Sequence, residues 1–174
     1  MRNNGVFLKP LKESDIGHVM TWVNDPDVVK NFQHFGKKLT KKEELVFVKK
    51  LVKNERKTDF VFSIFGVDET YLGQCAINQI SWENRLGRFS LIIKKEHWGK
   101  GYAQKVLPIL LDYAFRELKL NKVWGMVYAT NEKALHLYKK AGFKREGLLR
   151  EEYYWQDEYH DIVRIGLPAS EFKK

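Results

Sequence analysis

Apolar positions along the chain recur mainly at helical spacing before Asp59 and in a mixed pattern after it. Val6 to Leu8 reads as a short strand. Behind it Ile16, Val19, Met20 and Val23 recur at helical spacing, so a helix is predicted to open at Ser14 or Asp15. Asn24-Asp25-Pro26 interrupts it, because proline lacks the ladder N–H and disfavours helical geometry in the residue before it. Thr40, followed three residues later by Glu43, has the form of a capping box, and the helix behind it runs through Leu45, Val48, Leu51 and Val52. From Asp59 strand signals take over. Phe60 to Phe65 is β-branched and aromatic, Gly66 to Thr70 is turn-like, and Tyr71 to Ile80 reads as the hairpin partner. A turn at Glu83-Asn84 leads to a third antiparallel strand, Arg88 to Ile93.

The next segment is apolar at 103, 106, 107, 110, 111, 114, 115 and 118, the pattern of a helix packed on a sheet. Pro108 lies past its first turn and is expected to remove one ladder bond and bend the helix locally. Val123 to Ala129 predicts a strand, Asn131 to about Ala141 a second helix, and Gly142 its left-handed cap. Two late strands, Glu151–Trp155 and Asp161–Leu167, are joined by the turn Gln156-Asp157-Glu158. No repeat, low-complexity tract or linker divides the chain, so residues 1–174 are expected to form one domain.

Composition narrows the class. Among 174 residues, 44% are hydrophobic and 14% aromatic, enough for a substantial core and too much for a disordered chain. No window approaches eighteen apolar residues and the start lacks a signal-peptide core, so no membrane partner is expected. The lone Cys75 lies in an apolar run with no partner for an intrachain disulfide, which predicts a reducing, cytoplasmic setting. Histidines 18, 34, 97, 136 and 160 are scattered without ligand spacing, so no metal site is expected. Net charge is +9, and between Lys37 and Lys57 nine Lys/Arg face three Glu. That balance favours an anionic partner: nucleic acid, acidic lipid or a phosphate-bearing small molecule. A plain solvated helix face explains the same run.

The candidate chemistry starts at Glu96-His97-Trp98-Gly99-Lys100-Gly101-Tyr102-Ala103-Gln104, where a strand runs through a glycine turn into a helix. Such a turn leaves backbone N–H groups aligned with the positive end of the helix dipole, a ready site for phosphate. Gly99 and Gly101 allow close approach, and Lys100 can add charge at the rim. A simple connection remains the other reading. The spacing fits neither the dinucleotide fingerprint nor the P-loop.

Trp98-Gly99-Lys100-Gly101-Tyr102-Ala103, with Asn131-x-x-Ala134-x-x-x-Tyr138-x-x-x-Gly142-Phe143 behind it, resembles the acetyl-coenzyme A site of the GNAT-superfamily N-acetyltransferases. Trp98 stands where the family loop has Gln or Arg, as in the subgroup that includes ribosomal-protein alanine acetyltransferases. The segment from Asn131 to Phe143 is similar to spermidine/spermine N-acetyltransferases. The resemblance spans about Val6 to Leu167. It implies an α/β (α+β) fold with a central mixed, mostly antiparallel twisted sheet flanked by helices, its fourth and fifth strands splayed around the cofactor. It also implies transfer of acetyl from acetyl-CoA to a primary amine by direct attack. Transferred to this chain, Leu91, Ile92 and Ile93 would meet the pantetheine amides. Trp98, Gly99, Lys100, Gly101, Tyr102, Ala103 and Gln104 would meet the diphosphate, with Asn131, Lys133 and Ala134 along the arm.

Tyr138 is the implied catalytic residue, protonating or hydrogen-bonding the departing thiolate; a buried aromatic is the alternative on pattern alone. Many members carry a Glu as base on the fourth strand, where this chain has Arg88. Glu151, Glu152, Asp157, His160 and Asp161 are the alternatives, as is a water chain, and the base stays unassigned. Trp22, Phe32, Tyr153, Tyr154 and Trp155 are candidate walls of the acceptor pocket. The positive charge, part of it explained by coenzyme A, suits an amine on an anionic carrier, such as an amino sugar attached to a nucleotide, or a protein N-terminus held near RNA, better than a polyamine. The acceptor stays open and so does a homodimer. Nucleic acid, bound through the 37–57 face of an RNA- or ribosome-associated module, is the weaker reading, and a non-catalytic coenzyme A binder is a third.

Overall fold

In a computed structural model of the chain, which describes residues 1–3, 5–32 and 37–173 and only the backbone of Arg2 and Asn3, eight strands form one sheet. His34 lies outside the described residues. The strands are β1 (Arg2–Asn3), β2 (Val6–Pro10), β3 (Phe60–Gly66), β4 (Tyr71–Ser81), β5 (Leu86–Ile93), β6 (Lys122–Tyr128), β7 (Lys144–Trp155) and β8 (Glu158–Pro168). Their order is β1-β2-β3-β4-β5-β6-β8-β7, and every pairing is antiparallel except β5 with β6. A parallel neighbour needs a crossover, and the helix behind the glycine turn supplies it.

Helices cover both faces. α1 (Ile16–Val19), α2 (Pro26–Val29) and α3 (Lys41–Lys53) pack one core around Val19, Trp22, Val23, Val28, Val48 and Tyr71. α4 (Tyr102–Asp112) and α5 (Glu132–Lys140) cover the other face. There Val106, Leu107, Leu110 and Leu111, each at most 1% exposed, pin α4 to the sheet. Truncating a buried leucine of this kind costs ~2–5 kcal/mol, so the start of α4 is held firmly against β5.

The predicted capping box on α3 is present: Thr40 Oγ1 accepts the Glu43 N–H at 3.2 Å and Glu43 Oε2 accepts the Thr40 N–H at 2.8 Å. Gly142, at φ +96°, closes α5 as expected. Phe143 N–H bonds Tyr138 O at 3.0 Å and Gly142 N–H bonds Lys139 O at 3.1 Å, the pair of bonds of a Schellman cap.

Four expectations change. The first helix ends at Val19; the Thr21 hydroxyl donates to the His18 carbonyl at 2.6 Å, and i→i+3 bonds such as Asp25 N–H to Trp22 O continue the coil irregularly. Pro26 heads α2 instead of merely breaking α1, with Asp25 Oδ1 accepting the Asp27 N–H at 2.9 Å. β7 starts at Lys144, seven residues before the expected Glu151. It is an exposed edge strand with two register shifts, so no clean apolar alternation marks its first half. Beyond Pro108, α4 passes into a π-helical turn, Tyr113–Glu117, where Leu118 N–H bonds Tyr113 O at 3.0 Å. The irregularity therefore lies one turn later than the proline.

Candidate active site

β5 and β6 pair through only three residues, Leu86↔Lys122, Gly87↔Val123 and Arg88↔Trp124, and then part. With the two-residue β1 left out of the count, these are the fourth and fifth strands, the pair expected to splay. Beyond Arg88 the edge of β5 from Phe89 to Ile93 has no strand partner on that side among the described residues. Phe89 helps to hold the strands apart. Its ring lies against Gly125 of β6, where an added Cβ would come within 2.4 Å of the ring. The gap opens into a cleft of about 810 Å³ between β5, the glycine turn, α4, β6, α5 and the end of α2.

The turn at the cleft's mouth has the geometry of an anion cradle. Gly99 and Gly101 have φ of +76° and +75°, the left-handed region that other residues enter at a cost. A Cβ at Gly99 would meet nothing within 4 Å, and one at Gly101 only Gln104 Oε1 at 4.0 Å, so the space over the turn is clear. Trp98 Nε1–H donates to Ile93 O at 2.6 Å and closes the loop from β5. The ladder of α4 begins with Lys105 N–H on Gly101 O at 3.3 Å, which leaves the amides of Tyr102, Ala103 and Gln104 without an acceptor inside the helix. These donors, at the positive end of the dipole, fit a diphosphate, and the exposed edge of β5 fits an extended chain of amides. All of the expected cofactor residues line the cleft except Lys100, which is exposed outside it.

Tyr138 projects from α5 into the same cleft, its ring edge-on to Phe89 at 4.9 Å and 77°. Burial pushes its phenol up to about 12, so near neutrality it is a proton and hydrogen-bond donor. Asn131 caps α5, its Oδ1 accepting the Ala134 N–H at 3.1 Å, and its Nδ2 donates to Asn31 Oδ1 at 3.1 Å. Arg88 lines the cleft where the strands part; desolvation lowers its pKa, and it lies over the Trp124 ring at 5.8 Å, as Arg164 does at 4.1 Å.

A second cavity of about 480 Å³ adjoins the first and shares Lys30, Asn31, Asn131 and Lys133 with it. Tyr128, Trp155 and His160 form much of its remaining wall. Of the five candidate bases, His160 alone lines it. Its Nε2 meets the Trp155 carbonyl at 3.0 Å. Asp161 Oδ1 instead accepts the Glu151 N–H at 2.8 Å, and Glu151, Glu152 and Asp157 are exposed.

The aromatic candidates separate in the same way. Phe32 lines the larger cleft and Trp155 the smaller cavity. Trp22 does not: it is 3% exposed in the α1–α3 core and donates Nε1–H to Tyr71 Oη at 3.1 Å. Tyr153 packs edge-on against Tyr128, and Tyr154 tilts against Tyr159 on the surface. Lys30, Asn31 and Tyr128 were not foreseen. α2 has only four residues, too few to show a period, and Tyr128 reads as an ordinary strand aromatic.

The basic face of α3 is partly neutralised by ion pairs of Lys37 with Glu43, Lys49 with Glu13 and Lys53 with Glu55, which does not favour a nucleic-acid role. Among the described residues, no helix is long and apolar enough to cross a membrane, and no cluster of three His, Cys, Asp or Glu side chains is placed to hold a metal.

Comparison with known proteins agrees with this geometry. The acetyltransferase (GNAT) domain profile matches residues 6–144. Spermidine N(1)-acetyltransferase of Vibrio cholerae serotype O1 is 34% identical over 111 residues, which is 64% of this chain and 64% of that protein. The enzyme of the same name from Escherichia coli K12 is 29% identical over 163 residues, 93% of this chain and 85% of that one. The crystal structure of spermidine N-acetyltransferase from Vibrio cholerae in complex with CoA and spermine superposes with a TM-score of 0.91 at 27% identity, covering 97% of this chain and 98% of that one.

Proposed function

The chain belongs to the GNAT family of acetyl-CoA-dependent N-acetyltransferases, and we propose that its 174 residues work as one domain that acetylates a primary amine by direct attack in the β5–β6 cleft. One observation carries this reading: the parallel strands separate after Arg88 directly beside a helix start whose first amides have no acceptor inside the helix. Bound there, acetyl-CoA supplies the acetyl thioester, and the residues of the chain do the rest. The amides of Tyr102, Ala103 and Gln104 hold the diphosphate. The free edge of β5 orients the arm, fixing the thioester's approach.

Tyr138 donates its phenolic proton, or a hydrogen bond, to the departing sulfur; its raised pKa keeps that proton available at neutral pH. His160, which lines the adjoining cavity, would take the proton lost by the amine. A carbonyl can only accept, so the bond to Trp155 O fixes the ring proton on Nε2 and leaves Nδ1 as the basic lone pair. The relatives' names make spermidine the first amine to try. The test is release of coenzyme A thiol when the purified protein meets acetyl-CoA and a panel of polyamines, peptide N-termini, aminoglycosides and amino sugars. Acetyl-CoA that binds without thiol release from any of these would leave a non-catalytic binder.

A further inference from the structure

The polar groups of the two cavities point to one kind of acceptor. The larger is lined by Lys30 and Lys133 and by no aspartate or glutamate among the described residues. The smaller adds Glu132 as its sole described carboxylate. Two of its lining residues carry a polar atom that is buried beneath the cavity wall, Tyr128 Oη and Trp155 Nε1, and neither atom has a hydrogen-bond partner among the described residues. Tyr128 is only 6% exposed. A buried donor without a partner is costly and uncommon, and an indole N–H can only donate, so the missing partner is an acceptor. The charge at the boundary is also positive, since Asp27 is shared between Lys30 at 2.9 Å and Lys95 at 2.6 Å and balances only one of them.

We infer that the acceptor is an amine carrying its own oxyanion, a carboxylate or a phosphate. The smaller cavity seats that oxyanion, with Lys30 supplying charge and with Tyr128 Oη–H and Trp155 Nε1–H donating to it once a small turn of each side chain brings the donor to the cavity wall. The inference rests on the acetyl-transfer reading and adds the class of acceptor. The cofactor's own phosphates do not account for these donors, because none of residues 98–104 lines the smaller cavity. A polyamine is the poorer match: its ammonium groups would face cations on one side and hydrogen-bond donors on the other.

The test uses matched primary amines on the acetyl-CoA-loaded enzyme: ethanolamine against phosphoethanolamine and β-alanine, glucosamine against glucosamine 6-phosphate, and spermidine. Binding and thiol release are both measured. At least one oxyanion-bearing member is expected to exceed its neutral counterpart and spermidine by about ten-fold or more in kcat/KM, and the carboxylate and phosphate arms tell the two oxyanions apart. Tyr128→Phe is expected to erase most of that preference, chiefly through KM, with acetyl-CoA affinity kept. Its Tm should be unchanged or higher, because no existing hydrogen bond is lost. A Tyr128 that serves structure alone would lower Tm and leave the preference intact. Trp155→Phe gives a second, independent removal of a donor. Uptake of acetyl-CoA with no oxyanion advantage in binding or turnover, or with spermidine preferred, overturns the inference and leaves acetyl transfer standing. No uptake of acetyl-CoA overturns both.

Discussion

Asn131 and Asn31 are joined by a 3.1 Å hydrogen bond, Nδ2 to Oδ1, while the other end of the Asn131 amide caps α5 through the Ala134 N–H. One side chain thus starts a helix and ties it to the turn after α2 at the boundary of both cavities. Asn131→Ala removes both roles and is expected to cost about 1 kcal/mol of stability, the usual worth of an N-cap. Asn131→Asp keeps the capping oxygen and loses only the tie, so its melting temperature should stay near that of the parent. Both variants are expected to bind acetyl-CoA more weakly. Thermal melts and calorimetry separate the two effects, and an Asn131→Ala protein as stable as the parent would contradict the cap.

Tyr138→Phe is expected to lower kcat by roughly 100-fold or more with acetyl-CoA affinity unchanged, since the ring and its contact with Phe89 remain. The pH profile adds a check. The folded pKa lies above the ordinary 10.0, at about 12, so the phenol keeps its proton as pH rises through 10. The rate should therefore show no alkaline fall from this group between pH 7 and 10. A falling limb centred near pH 10 that disappears in the Phe variant would show the phenol to be an ordinary, solvated one.

Gly125→Ala places a methyl 2.4 Å from the Phe89 ring, and Phe89 backs Tyr138. Overpacking of this kind is expected to cost ~1–3 kcal/mol and to displace the tyrosine, so kcat should drop along with stability. Pairing it with Phe89→Leu should restore part of both. A Gly125→Ala enzyme with full turnover would mean that the Phe89–Tyr138 contact does not set the tyrosine's position.

Glu44, on α3 one turn before Val48, is 5% exposed, and desolvation raises its carboxyl from the ordinary 4.5 to about 7. The folded state then holds a proton that the unfolded chain has already lost. The sign follows: stability is fullest below pH 4.5, falls as pH rises, and reaches its lower level above about 7. Glu44→Gln is expected to raise Tm at pH 8 by roughly 2–4 °C, the effect of about 1 kcal/mol in a chain of this size. Near pH 4.5 the two proteins should melt together; a variant that melts lower at pH 8 would show the carboxylate to be stabilising.

The parts of the site that could be read ahead of the structure are the local ones. A glycine at φ +75° before an amphipathic run, or an asparagine followed by a helical stripe, announces itself within a few residues. The splay of β5 from β6 was legible only through the family resemblance, because it depends on Phe89 and Gly125 meeting across strands 36 residues apart in sequence. Glu44 looked like one more charge on a basic helix, since burial on a short amphipathic helix is decided by what packs on it. The smaller cavity was hidden for the same reason: α2, the end of β6 and the β7–β8 hairpin come together only in the fold.

The central claim is that the amides at the start of α4 grip the diphosphate of acetyl-CoA. Calorimetric titration of acetyl-CoA into the wild type and Gly101→Ala tests it most directly. Alanine in the left-handed conformation costs ~1–2 kcal/mol and turns a methyl toward space that the protein itself leaves empty. The account predicts saturable uptake by the wild type and at least about ten-fold weaker binding by the variant, a loss of about 1.4 kcal/mol. No uptake by the wild type, or equal affinity in the two proteins, would contradict it.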